Sequence, residues 1–136
     1  MANPVTGGCA CGAIRYEYSG EPILSLHCYC RDCQRRSGTA FASGLGVPIN
    51  VVKIKGEPRY YEVTADSGKK RQLGFCATCG SPLFTKLDAM PNVIGITPAS
   101  LDDPNLFHPS ISVYTSSAPA WAIFAEGVRS FPKMPG

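Results

Sequence analysis

The sequence has no run approaching the roughly 18 apolar residues of a membrane-spanning helix. Its opening, Met1-Ala-Asn-Pro-Val-Thr-Gly-Gly8, has neither the basic start nor the apolar stretch of a secretory leader. A soluble, unprocessed protein of the cytoplasm is therefore the expectation, with no membrane partner. Long helical periodicity, internal repeats and low-complexity tracts are also missing, which argues against helical bundles, solenoids and disordered arrays. Histidine is limited to His27 and His108. With 136 residues the chain is expected to be one domain spanning 1–136. A chain of this size buries roughly two-thirds of the surface its unfolded form exposes, enough for an ordinary core.

Seven cysteines stand out against these absences, in three tight groups: Cys9-Ala-Cys11, Cys28-Tyr-Cys30-Arg-Asp-Cys33 and Cys76-Ala-Thr-Cys79. Thiols one or two residues apart rarely satisfy disulfide geometry but converge readily on one ion, so metal ligation fits better than cross-linking. An odd count of metal-spaced thiols also suits a reducing compartment. Two separated pairs can close a tetrahedral zinc site, leaving a triplet that would hold a second zinc with one position open. Joining Cys9 and Cys11 to Cys76 and Cys79 would close a loop of more than sixty residues. Pairing Cys9 and Cys11 with two members of the triplet satisfies the same count and stays open at this level.

The formal charge is +3 with thiols counted as neutral. Two zinc ions on seven thiolates would bring it to about zero, so a nucleic-acid partner is not expected. What remains is local charge. Arg31, Arg35 and Arg36 follow the triplet, and Lys69, Lys70 and Arg71 precede the last pair. They read either as solvated loops or as a rim that recruits anions.

Ile14-Arg-Tyr-Glu-Tyr18 alternates apolar and charged side chains, the period of a half-buried strand. The same habit predicts strands over 23–27, 41–47, 51–55, 59–63, 73–75, 83–87, 93–97 and 111–114, separated by turns rich in glycine, proline, asparagine and aspartate. A helical turn ended by Gly38 is expected over 32–37, and a capped turn over 101–107. These signals predict an antiparallel, all-β domain whose cysteine groups lie where strands meet turns.

The triplet has three candidate fates: a site completed by His27 or His108, a redox cluster, or an open zinc. His27 and Cys28 would point to opposite faces of one strand. Cys30-Arg-Asp-Cys33 has disulfide-exchange spacing without the flanking strand-helix pattern of that motif. An open zinc on three thiolates is a weaker acidifier of water than one on three histidines and suits an incoming thiol. Hydrolytic deamination is disfavoured. Its signature needs glutamate two residues after the first ligand and proline before a later pair, whereas Cys30 and Phe75 stand there.

Gly8-Cys-Ala-Cys-Gly12 leading into Ile14-Arg-Tyr16, then His27-Cys-Tyr-Cys-Arg-Asp-Cys33 with Gly38, and Phe75-Cys-Ala-Thr-Cys-Gly80 with Leu83 resemble the glutathione-dependent formaldehyde-activating enzyme family, also called the centromere protein V family. Ser100-Leu-Asp-Asp-Pro104 and the surroundings of Trp121 look similar too. The resemblance implies an all-β, zinc-ribbon-like fold of the Mss4-like type, with two zinc ions per chain. One would be structural, on Cys9, Cys11, Cys76 and Cys79, and the other catalytic, on Cys28, Cys30 and Cys33. It further implies a carbon-sulfur lyase resembling S-(hydroxymethyl)glutathione synthase, joining glutathione or a similar small thiol to formaldehyde. Tyr29 departs from the histidine that family members often carry between the first two triplet cysteines. The alternatives are a zinc-stabilised module binding protein or nucleic acid without catalysis, and a redox enzyme using Cys30 and Cys33.

Overall fold

The computed structural model describes residues 4–135; of the opening segment read for a leader, Met1, Ala2 and Asn3 lie outside the described residues. Eleven strands and one short helix follow in chain order. The first three strands are β1 (Val5–Gly8), β2 (Arg15–Tyr18) and β3 (Leu24–Cys28), followed by α1 (Arg31–Ser37). Next come β4 (Ala42–Pro48), β5 (Val52–Lys55), β6 (Arg59–Thr64), β7 (Lys70–Phe75), β8 (Pro82–Leu87) and β9 (Met90–Ile96). β10 (Ile111–Val113) and β11 (Arg129–Ser130) complete the set. The fold is all-β, with cysteine groups at strand ends. No helix among the described residues is long and apolar enough to cross a membrane.

β1, β2 and β5 form one antiparallel sheet, and the other strands form a second in the order β11-β10-β3-β4-β9-β8-β7-β6. The two sheets bury a shared core. In β2 the alternation read from sequence sends Tyr16 and Tyr18 inward, at 3% and 4% exposure, while Arg15 stays outside. Tyr16 meets Phe84 of β8 edge-on, with ring centroids 5.3 Å apart. Around this contact lie Ile14, Leu45, Val47, Leu83, Ile94, Ile96 and Leu101. Each fully buried aliphatic or aromatic side chain of this kind contributes roughly 1.5–3 kcal/mol. Cys9 and Cys76 belong to the same cluster, so the pairs they head are rooted in the core.

The antiparallel expectation needs one correction. β10 runs parallel to both β3 and β11, with Val113 opposite Cys28 and Ser112 opposite Ser130. Turn residues mark where a strand stops but say nothing about the direction in which a long connection returns. The parallel pairing fixes the site, because it brings the chain after β10 beside the end of β3, where the triplet begins. β1 also escaped the sequence reading, since Val-Thr-Gly-Gly carries no apolar alternation, and so did the two-residue β11.

Candidate metal centres

Two knuckles of matching construction hold the first group of thiols. Cys9 directly follows β1 and accepts at its carbonyl from Gly12 N–H at 3.2 Å; Cys76 directly follows β7 and accepts from Gly80 N–H at 2.8 Å. Gly12 and Gly80 take φ of 81° and 79°, the left-handed backbone that turns each chain back toward its own cysteine. Ser81 then stitches the knuckles together: its hydroxyl accepts from Ala10 N–H at 3.1 Å and lies 3.2 Å from Cys79 Sγ. The Ser81 side chain and backbone hold the Cys79 thiol down to about 5.

The sulfurs of Cys9, Cys11, Cys76 and Cys79 all lie within 4.8 Å of one another. Cys9 to Cys11 is 3.6 Å and Cys11 to Cys76 is 3.8 Å. Four thiolates at the usual zinc-sulfur distance around a tetrahedral zinc stand about 3.8 Å apart, so the donor set and its spacing fit that ion. Ile14 N–H points at Cys9 Sγ from 3.3 Å, a donor suited to a thiolate.

The second group is built by a strand end and a helix start. Cys28 closes β3, Cys30 caps α1, and Cys33 lies in its first turn with its N–H 3.4 Å from Cys30 Sγ. Gln34 fixes the bend between Cys28 and Cys30. Its buried amide donates to Tyr29 O at 2.7 Å and Ser117 O at 3.1 Å. Gly38 ends the helix in the left-handed conformation, as the sequence predicts. The three sulfurs converge within 4.8 Å, and among the described residues no histidine, carboxylate or further cysteine joins them. All seven cysteines are free thiols.

Crowding makes the triplet titrate as a unit. Hydrogen bonds from Cys28 and then Cys33 bring the Cys30 thiol down to about 2. Cys28 is pushed far above the ordinary thiol range, chiefly by Cys30 and Cys33. Cys33 gains some help from Cys28, but Cys30 and burial raise it to about 11. Each thiolate disfavours ionisation of its neighbours, so a bound cation such as zinc would favour the full set of thiolates.

Tyr29 and His27 face elsewhere. Tyr29 is fully buried, packs its ring 4.7 Å from that of Phe124 and donates to Ile123 O at 3.3 Å. His27 stacks on Phe41 at 4.2 Å, and burial lowers its pKa. Just past the end of β3, the Tyr29 ring enters the packing formed by Phe41, Ile123 and Phe124. His108 is an exposed loop residue.

The model of the family described as glutathione-dependent formaldehyde-activating enzyme matches residues 4–117, which takes in both cysteine groups. The chain belongs to this family. A solved structure of a Rhodobacter sphaeroides protein is similar in fold, with a TM-score of 0.60 at 23% identity over 76% of this chain and 96% of that one.

Within this formaldehyde-activating family fold, the basic residues picked out by sequence separate into different roles. Lys70 pairs with Glu62 at 3.2 Å on the surface, and Arg31 bonds Gln34. Arg71 binds Asp32 of α1 at 3.0 Å beside the triplet. Arg36 corrects both sequence readings, since it is neither a solvated charge nor part of a rim. It reaches from α1 to Thr85 Oγ1 at 2.8 Å and to the carbonyls of Gly74 and Phe84 at 2.9 Å each. The latter pair lies where the β7–β8 register slips. Its charge was legible; its target was not, because the β-bulge it serves has no sequence signal. Arg36→Met leaves these carbonyls without their donor and is expected to cost about 2–4 kcal/mol, read as a lower midpoint in chemical denaturation.

Proposed function

We propose that the protein is a zinc-dependent carbon-sulfur lyase that joins a small thiol of the glutathione type to formaldehyde or a similar aldehyde. The observation that carries this reading is the unequal sharing of sulfur: four thiols converge in one knuckle pair and three in the triplet. Family membership supports the same chemistry. The four-thiol group serves as a structural zinc site and the triplet as the catalytic one, giving two ions per chain. Zinc held by the triplet supplies a Lewis acid that keeps a guest thiol as its nucleophilic thiolate.

The chain's own residues prepare the place. Cys28 is fixed by β3, Cys30 and Cys33 by the first turn of α1, and Gln34 locks the bend between them. Side chains held this way need little reordering when substrate arrives. The reaction balances without an oxidant. The thiol loses its proton, its sulfur bonds the aldehyde carbon, and the carbonyl electron pair moves to oxygen, which takes up a proton to leave a hydroxymethyl thioether.

Cobalt substitution tests the reading. Glutathione added to the cobalt-loaded protein is expected to change the absorbance of the triplet ion, and adding formaldehyde should then give S-hydroxymethylglutathione, followed by carbon NMR, faster than in buffer. An unchanged cobalt spectrum at saturating glutathione would overturn direct thiol docking.

A further inference from the structure

Among the sequence's basic residues, Arg71 is one that the fold brings across from β7 to the segment bearing the triplet. It projects from β7 with its side chain only 16% exposed, and its Nη2 is anchored 3.0 Å from Asp32 Oδ2. Asp32 lies between Cys30 and Cys33 in the first turn of α1, so the guanidinium is tied to the segment that presents two of the three thiols. Its Nε–H is buried and has no hydrogen-bond partner among the described residues. The guanidinium is charged at every working pH, and the Asp32 contact holds it beside the turn that presents Cys30 and Cys33. The other charged or titratable groups that face it are Asp32 and Arg36 on α1 and Tyr114 just beyond β10. Among the described residues, Tyr114 is the non-glycine residue with positive φ, at 57°, just after Val113 pairs with Cys28.

We infer that Arg71 is the positioning residue that lets the triplet accept a fourth sulfur as an anion: its fixed positive charge offsets the thiolates already there and favours the guest thiol in its deprotonated form. The inference rests on the proposed thiol chemistry and adds a residue to it. Three thiolates on a divalent ion already carry a net negative charge. A further thiolate enters against that charge unless a cation stands close by, and Arginine fills the role at every working pH because it does not deprotonate. The role differs from recognition of a substrate carboxylate, which needs no contact with the reacting sulfur.

The test uses full-length cobalt-loaded protein and two probes, 2-mercaptoethanol, which has no carboxylate, and glutathione. Uptake is followed by absorbance as pH is raised. Arg71→Met is expected to raise the midpoint pH for both thiols by about one unit, equivalent to roughly tenfold weaker uptake at a fixed lower pH, while cobalt content stays at the wild-type level. Arg71→Lys, which keeps the charge, should restore most of the shift, and Arg35→Met, on an exposed helix position, should leave the midpoint unchanged. If Arg71→Met does not fold, Arg71→Gln is read the same way. An unmoved midpoint, or a loss confined to glutathione, overturns the inference while thiol docking itself stands. Absence of uptake by the wild type overturns both.

Discussion

Cys76→Ser is expected to abolish the folded, metal-replete state. Cys76 is 1% exposed and belongs to the central core cluster with Cys9 and Phe84. Its sulfur lies 3.8 Å from that of Cys11, across 65 residues of chain. Zinc bound by four thiolates links folding to metal binding with an apparent free energy of about 10–16 kcal/mol in small zinc domains. A domain's whole stability is typically about 5–15 kcal/mol. If losing one of four ligands releases the ion, the quantity lost is comparable to everything that holds the fold. Zinc held by this group would join the β1–β2 knuckle to the β7–β8 knuckle only in the folded chain, so its binding free energy would count toward folding. The measurements are zinc content and thermal melting of the wild type, of Cys76→Ser and of wild type treated with a strong chelator. Variant and chelated protein should lose near-UV circular dichroism and cooperative melting together. A Cys76→Ser protein that melts like wild type would refute the structural role.

The strands were legible wherever one face is buried, because alternation is a local signal. Tyr16 and Tyr18 declare β2, and the run from Leu45 to Val47 sits in β4, whose central residues are buried. The cysteine groups were legible for a different reason: their spacing alone limits which geometries they can adopt. What stayed hidden was long-range or backbone-borne. The parallel return of β10 depends on a connection that no turn residue describes. Arg36 and Arg71 are both arginines near cysteine groups in sequence, yet one serves a bulge in the sheet and the other pairs with Asp32 beside the triplet. Only the pairing of β7 with β8 and the docking of α1 over them separate the two. Tyr29 shows the converse. Sequence placed it between two candidate ligands, while in the fold its ring packs against Phe41 and Phe124.

Replacing Cys28, Cys30 and Cys33 together by serine is expected to give the opposite outcome to Cys76→Ser: a folded protein with one zinc instead of two and no lyase activity. None of the three belongs to the central cluster that contains Cys9 and Cys76, and Cys30 and Cys33 are only partly buried. They occupy the end of β3 and the first turn of a seven-residue helix, whose placement rests on Gln34 and Arg36 rather than on the thiols. Serine at Cys30 remains a good helix cap, so α1 keeps its start. Cys28 is the costliest of the three, since a hydroxyl is buried in its place, and a loss of about 1–3 kcal/mol is expected there. Loss of outer contacts to a catalytic metal typically lowers activity 10- to 100-fold. Removing the ligands themselves should exceed that and leave adduct formation at the rate seen in buffer. Zinc analysis, thermal melting and NMR-detected adduct formation on one preparation separate the two metal roles. If the triple variant unfolds as Cys76→Ser does, the triplet is architectural, and the division between an enclosed ion and a reactive one fails.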